Sequence, residues 1–85
     1  MFYYIYTLQS KKNGSLYIGY TADLRKRFKE HTSGKSSATK PFRPYKLVFY
    51  EAFANKHDAK RREIYLKSGW GIRTVKKILK KSLSL

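Results

Sequence analysis

The sequence contains no cysteine, so neither a disulfide nor a thiolate metal site can brace the chain. No apolar run reaches the roughly 18 residues that a transmembrane helix needs. Met1 to Leu8 alternates rather than forming an apolar block behind a basic segment, which argues against a signal peptide. A cytoplasmic location is the default expectation. The scarcest commodity is negative charge. Five Asp and Glu stand against twenty Lys and Arg, a net +15. Such an excess repels itself and attracts polyanions. Nucleic acid is the expected partner, ahead of an acidic protein or a membrane surface.

With 85 residues the chain reads as one domain over 1–85, its core spanning about 2–80. A chain this short buries only roughly 60–65% of its unfolded surface, enough for one modest core. Hydrophobic residues make up 41% and aromatics 16%, too rich for a disordered tail.

Phe2 to Leu8 has the period of a strand, with Phe2, Tyr4, Tyr6 and Leu8 on one face and Tyr3, Ile5 and Thr7 on the other. Asn13-Gly14 signals a hairpin, and Leu16 to Tyr20 returns. An even loop would put Tyr6 and Tyr17 on the same face; an odd loop or a bulge would separate them. A helix opens at Thr21 or Ala22, with Thr21 the better cap, and ends near Gly34. Its Leu24 and Phe28 share a core stripe, and Arg27 and His31 share a second. Glu30 is expected on a different face from Arg27.

Gly34 to Pro44 is a basic loop with too few apolar residues for a buried element. Tyr45 to Ala52 forms the third strand, Leu47 and Phe49 facing one side and Val48 and Tyr50 the other. Both its faces look covered, so the strand is either central or overlain by helices. A second helix runs from Asn55 or Lys56 to about Lys67, ended by Gly69. Ile72, Val75, Ile78 and Leu79 make a third, with Lys76, Lys77, Lys80 and Lys81 outward. The tail from Ser82 to Leu85 is expected to fray. The order β-β-α-β-α-α implies an α+β fold, a small three-stranded antiparallel sheet flanked by three helices.

Phosphodiester hydrolysis needs groups that move protons, hold a phosphate and hold a metal. Tyr6, Tyr17 and His31 can do the first, Arg27 the second and Glu63 the third. Taken singly, each has a plain structural reading: sheet aromatics, a solvated cation, a helix-end histidine, and a carboxylate paired with Lys60 or Lys67 at helical spacing. Gly34-Lys35-Ser36 lacks the upstream glycine of a nucleotide-binding loop, Lys29 standing in its place. Two histidines without cysteine give no structural zinc spacing.

Taken together, Tyr4-Ile5-Tyr6, Tyr17-Ile18-Gly19, the following Leu24, Arg27 and His31, and the stretch Ala59 to Gly69 around Glu63 resemble the GIY-YIG nuclease superfamily, in particular its small bacterial members. Tyr4 replaces the name-giving glycine, and no Asn follows Asn55. The resemblance implies a metal-dependent DNA endonuclease acting in repair or recombination. One Mg or Mn ion would sit on Glu63. Tyr17 would be the general base or proton relay, Tyr6 its partner, Arg27 the phosphate clamp, and His31 a proton-handling or phosphate-orienting neighbour. The competing reading is a non-catalytic basic nucleic-acid-binding module on the same fold. Eight Lys or Arg lie between Arg25 and Lys46. Arg25, Lys26, Lys35, Lys40, Arg43 and Lys46 form the expected nucleic-acid track, extended by Arg61 and Arg62. They would contact phosphates and so read no sequence.

Overall fold

A computed structural model describes residues 1–83. The chain runs β1 (Tyr3–Ser10), β2 (Leu16–Thr21), α1 (Leu24–Ser33), a short 3-10 turn (Lys40–Phe42), β3 (Tyr45–Phe53), α2 (Lys56–Lys67) and α3 (Gly69–Ile78). The three strands form one antiparallel sheet in the order β2-β1-β3, an α+β fold. The expected fraying falls partly on residues 84 and 85, outside the described residues.

The hairpin loop is even. Ser10 and Ser15 close it, leaving four residues between them, with Gly14 at φ 77°. Tyr17 therefore faces Leu8 across the ladder, on the same face as Tyr6. β1 is the central strand, and Ile5 to Ser10 are all buried. β3 is an edge strand, so of the two expected arrangements the helix-covered one holds: its apolar residues meet helices on both faces. A bulge between Thr7 and Leu8 also breaks its parity. One extra residue there leaves Leu47 on the Leu8 face and sends Phe49 to the Thr7 face.

Each face has its own core. Ile5 and Ile18 pack with Ala59, Leu66, Val75 and Leu79 beneath α2 and α3. Tyr6, Leu8 and Tyr45 pack with Leu24, Phe28 and Leu47 beneath α1. Ile78, expected in the core, is exposed, and Leu79 takes that place.

Two helix ends differ from expectation. Asp23 caps α1, its carboxylate accepting from the Lys26 N–H, while the Thr21 hydroxyl accepts from the Asp23 N–H. An ionised cap holds the helix N-terminus better than a hydroxyl. Gly69 begins α3 instead of ending α2, because the Ser68 hydroxyl accepts from the Gly71 N–H and starts a new turn at once. Gly34 does close α1, at φ 83°, a conformation few other residues adopt.

Candidate active site

The site is built on the face under α1, at the β2 side. Tyr6 comes from β1, Tyr17 from β2, and Arg27 and His31 from one stripe of α1. The ring centroids of Tyr6 and Tyr17 are 6.4 Å apart, and His31 lies 5.6 Å from Tyr6 and 5.1 Å from Tyr17.

His31 is fully buried, and both its nitrogens are used. Nε2 meets the Tyr6 hydroxyl at 2.8 Å and Nδ1 meets the Thr39 hydroxyl at 2.8 Å. The far end of this chain assigns the protons. Thr39 donates to the Ser36 carbonyl, which can only accept. Thr39 therefore accepts from Nδ1–H, and Nε2 accepts from the Tyr6 O–H. Burial, aided by the nearby Arg27 charge, pushes the His31 pKa below 6.5, consistent with a neutral ring.

Tyr6 is buried to 1% exposure. Burial pushes its pKa above 10, against the hydrogen bonding and positive charge of Arg27, while the charges of Tyr17 and Glu63 add to the rise. Tyr6 is thus held as a neutral phenol, its proton aimed at His31 and its oxygen facing Arg27. By contrast, the half-buried Tyr17 hydroxyl makes no hydrogen bond to any described residue.

Arg27 is aimed by Glu30, which its Nη1 meets at 2.9 Å. The two share a face after all, since residues three apart on a helix are neighbours. This bond, together with the Tyr6 and Tyr17 oxygens, holds the guanidinium more firmly charged than usual. The same contact keeps the Glu30 carboxyl below its usual range.

Glu63 lies on α2, which packs against the Ile5–Ile18 face of the sheet, and makes no hydrogen bond or ion pair with Tyr6, Tyr17, Arg27 or His31, although its charge acts on Tyr6. Its side chain is only 16% exposed and pairs with Lys67 at 3.0 Å. The other four acids have separate tasks: Asp23 caps α1, Glu30 holds Arg27, Glu51 pairs with Arg62 and Asp58 with Arg61. No cluster of three or more His, Cys, Asp or Glu occurs among the described residues. One carboxylate still fits Mg²⁺ or Mn²⁺ chemistry, because such ions take one or two protein oxygens and complete their shell with water and substrate phosphate. Lys67 is half exposed, and a surface pair of this kind is weak enough to yield to a cation.

The cationic track is divided. Arg25, Lys26, Lys35, Lys40, Arg43 and Lys46 are all exposed. Arg25, Lys26 and Lys35 line one depression beside α1. Arg61 and Arg62 lie apart from it, on α2. Arg62 holds Glu51 through two hydrogen bonds of 2.8 and 3.2 Å, so its fork is occupied. Three contributors escaped the sequence reading. Glu30 was legible from its spacing to Arg27. Thr39 was not, because a buried threonine in a basic loop looks like any exposed one. The function of Gly19 emerges only in three dimensions: a Cβ there would collide with the Tyr6 hydroxyl and lie 3.0 Å from its Cε1. The glycine of Tyr17-Ile18-Gly19 is the floor on which the Tyr6 phenol rests.

That fit between the two tripeptides is the physical sense of a two-part motif. A family model described as the GIY-YIG catalytic domain matches residues 2–70, and the chain belongs to this family of nuclease-type domains. The chain is also similar to small bacterial proteins. It is 44% identical over 66 residues to the UPF0213 protein YazA of Bacillus subtilis, covering 76% of this chain and 66% of that one. It is 36% identical over 84 residues to a UPF0213 protein of Pediococcus pentosaceus, covering 98% and 87%. The chain spans about two thirds of the length of its Bacillus relatives. The solution NMR structure of the UPF0213 protein BH0048 from Bacillus halodurans superposes with a TM-score of 0.58 at 37% identity, covering 92% of this chain and 85% of that one. No helix among the described residues is long and apolar enough to cross a membrane.

Proposed function

We propose that the protein is a metal-dependent endonuclease that hydrolyses phosphodiester bonds in DNA, with repair or recombination as its setting. The observation that carries this reading is the division of labour between the two phenols. Tyr6 is locked neutral between His31 and Arg27, whereas the Tyr17 hydroxyl beside it is unengaged and can meet a water molecule. Arg27, held by Glu30, offers its remaining N–H groups to a phosphate oxygen. Tyr17 takes the proton of the attacking water as general base. Tyr6 fixes where that water and the phosphate sit. His31 touches no substrate in this arrangement and acts as a positioning residue through Tyr6. A divalent cation on Glu63 would supply Lewis-acid stabilisation of charge on the phosphate.

The test is cleavage of single- and double-stranded DNA with Mg²⁺ or Mn²⁺. Tyr17→Phe and Glu63→Ala should each lose at least about 100-fold in rate, the scale of a general base or of an electrostatic stabiliser. Chelation should abolish cleavage. Equal rates for wild type and both variants would refute the reading.

A further inference from the structure

The sheet face that carries Tyr6 has a second concavity, on the β3 side of α1. It is a groove of about 520 Å³, walled by Tyr4, Phe28, Leu47 and Tyr50 and rimmed by Arg25 and Lys29. That volume suits a small planar ligand and is far too small for a duplex. Its wall adjoins the candidate site, because Tyr50 is the register partner of Tyr6 across the β1–β3 ladder. Directly opposed residues have Cβ atoms about 4.5–5.5 Å apart.

The walls have the character of a stacking platform. Tyr4 and Tyr50 meet edge to face at 6.0 Å and 62°, leaving Tyr50 52% exposed. Arg25 and Lys29 are exposed and sit four apart on α1, on the same stripe. The only acid at the rim, Asp23, is engaged in capping α1. An open aromatic ring beside unneutralised cations is complementary to a base and its flanking phosphates.

We propose that this groove takes an unpaired nucleobase of the strand bound at the Tyr6–Tyr17–Arg27 site, stacked on Tyr50, with Arg25 and Lys29 on the adjoining phosphates. This rests on the nuclease reading for which strand is held, but not on turnover. A duplex keeps its bases stacked and leaves the groove empty. The protein therefore prefers nucleic acid with an unpaired base next to the gripped phosphate, such as a single strand, a flap or a bulge.

The experiment is binding, by fluorescence anisotropy in chelator, of a single-stranded oligonucleotide and of the corresponding duplex. Tyr50 is half exposed, so Tyr50→Ala should fold, and Tyr50→Phe keeps the ring. Tyr50→Ala should weaken single-strand binding roughly 5- to 150-fold, the equivalent of losing one base–aromatic stack at about 1–3 kcal/mol. Tyr50→Phe should retain it, and duplex binding should change less than about twofold. A 2-aminopurine placed along the strand should be quenched by wild type and not by Tyr50→Ala. Unchanged single-strand binding in Tyr50→Ala, or equal loss for strand and duplex, overturns the proposal. So does a free mononucleotide that binds as tightly as the strand in a Tyr50-dependent way, since the groove would then serve free nucleotides. Because chelator removes catalysis, failure here leaves the nuclease reading standing on its own test, and failure of cleavage leaves the groove testable.

Discussion

Acidification should strip stability from this fold through one buried imidazole. His31 is fully buried between Tyr6 and Thr39, and its pKa lies below the 6.5 of an unfolded chain. Between those two values the unfolded chain binds a proton that the folded chain refuses. Stability therefore rises with pH across that window: the contribution is complete above about pH 6.5 and is lost as pH falls toward the depressed value. One proton corresponds to a slope of up to about 1.4 kcal/mol per pH unit. With a urea dependence of about 1–3 kcal/mol per molar for a small domain, that moves the midpoint by roughly 0.5–1.4 M per unit. The control is His31→Gln, whose amide can donate to Thr39 and accept from Tyr6 but does not titrate. Urea melts of both proteins from pH 7.5 to 4.5 subtract the carboxylates, including Glu30, whose stabilising effect is also lost in acid. The difference curve should be flat above pH 6.5 and bend downward below it. Parallel curves throughout would refute the assignment of a neutral, doubly bonded His31. Tyr6 acts at the other extreme. Its raised pKa keeps its contribution intact below about pH 10 and loses it as pH climbs through the folded value.

Two further outcomes follow from the same geometry. Gly19→Ala puts a Cβ into the Tyr6 hydroxyl, so it should lower stability by about 1–3 kcal/mol, the usual cost of overpacking, and reduce cleavage by about 100-fold as the phenol moves; thermal melting and single-turnover cleavage check both. Lys26→Ala should reduce the slope of log affinity against log salt by about 0.9, the signature of one lost phosphate contact, whereas Arg61→Ala, lying off the α1 track and already paired with Asp58, should leave it unchanged.

Much of this molecule could be read from its residues. Alternation in β1 and the Asn13-Gly14 turn put Tyr6 and Tyr17 on one face, because a four-residue loop conserves parity. The four-residue spacing of Arg27 and His31 put both over that face. What was illegible depended on events the local pattern does not record. A bulge against Thr7 and Leu8 separated Leu47 from Phe49. The pairing of Arg62 with Glu51 joins residues eleven apart on different elements. The task of Thr39 depends on a partner eight positions earlier in another element.

The Thr39 contact has a wider implication. The segment between Gly34 and Pro44 is tethered to the sheet at its far end, where Ser10 donates to the Phe42 carbonyl and Lys11 to that of Pro44. Its middle reaches inward through Thr39 to the imidazole that accepts the Tyr6 hydroxyl proton. A change at Thr39 alone can thus reorient a buried phenol while leaving Lys35, Lys40 and Arg43 of the same connection untouched, so that the internal hydrogen-bond chain and the cationic exterior are adjustable by separate mutations.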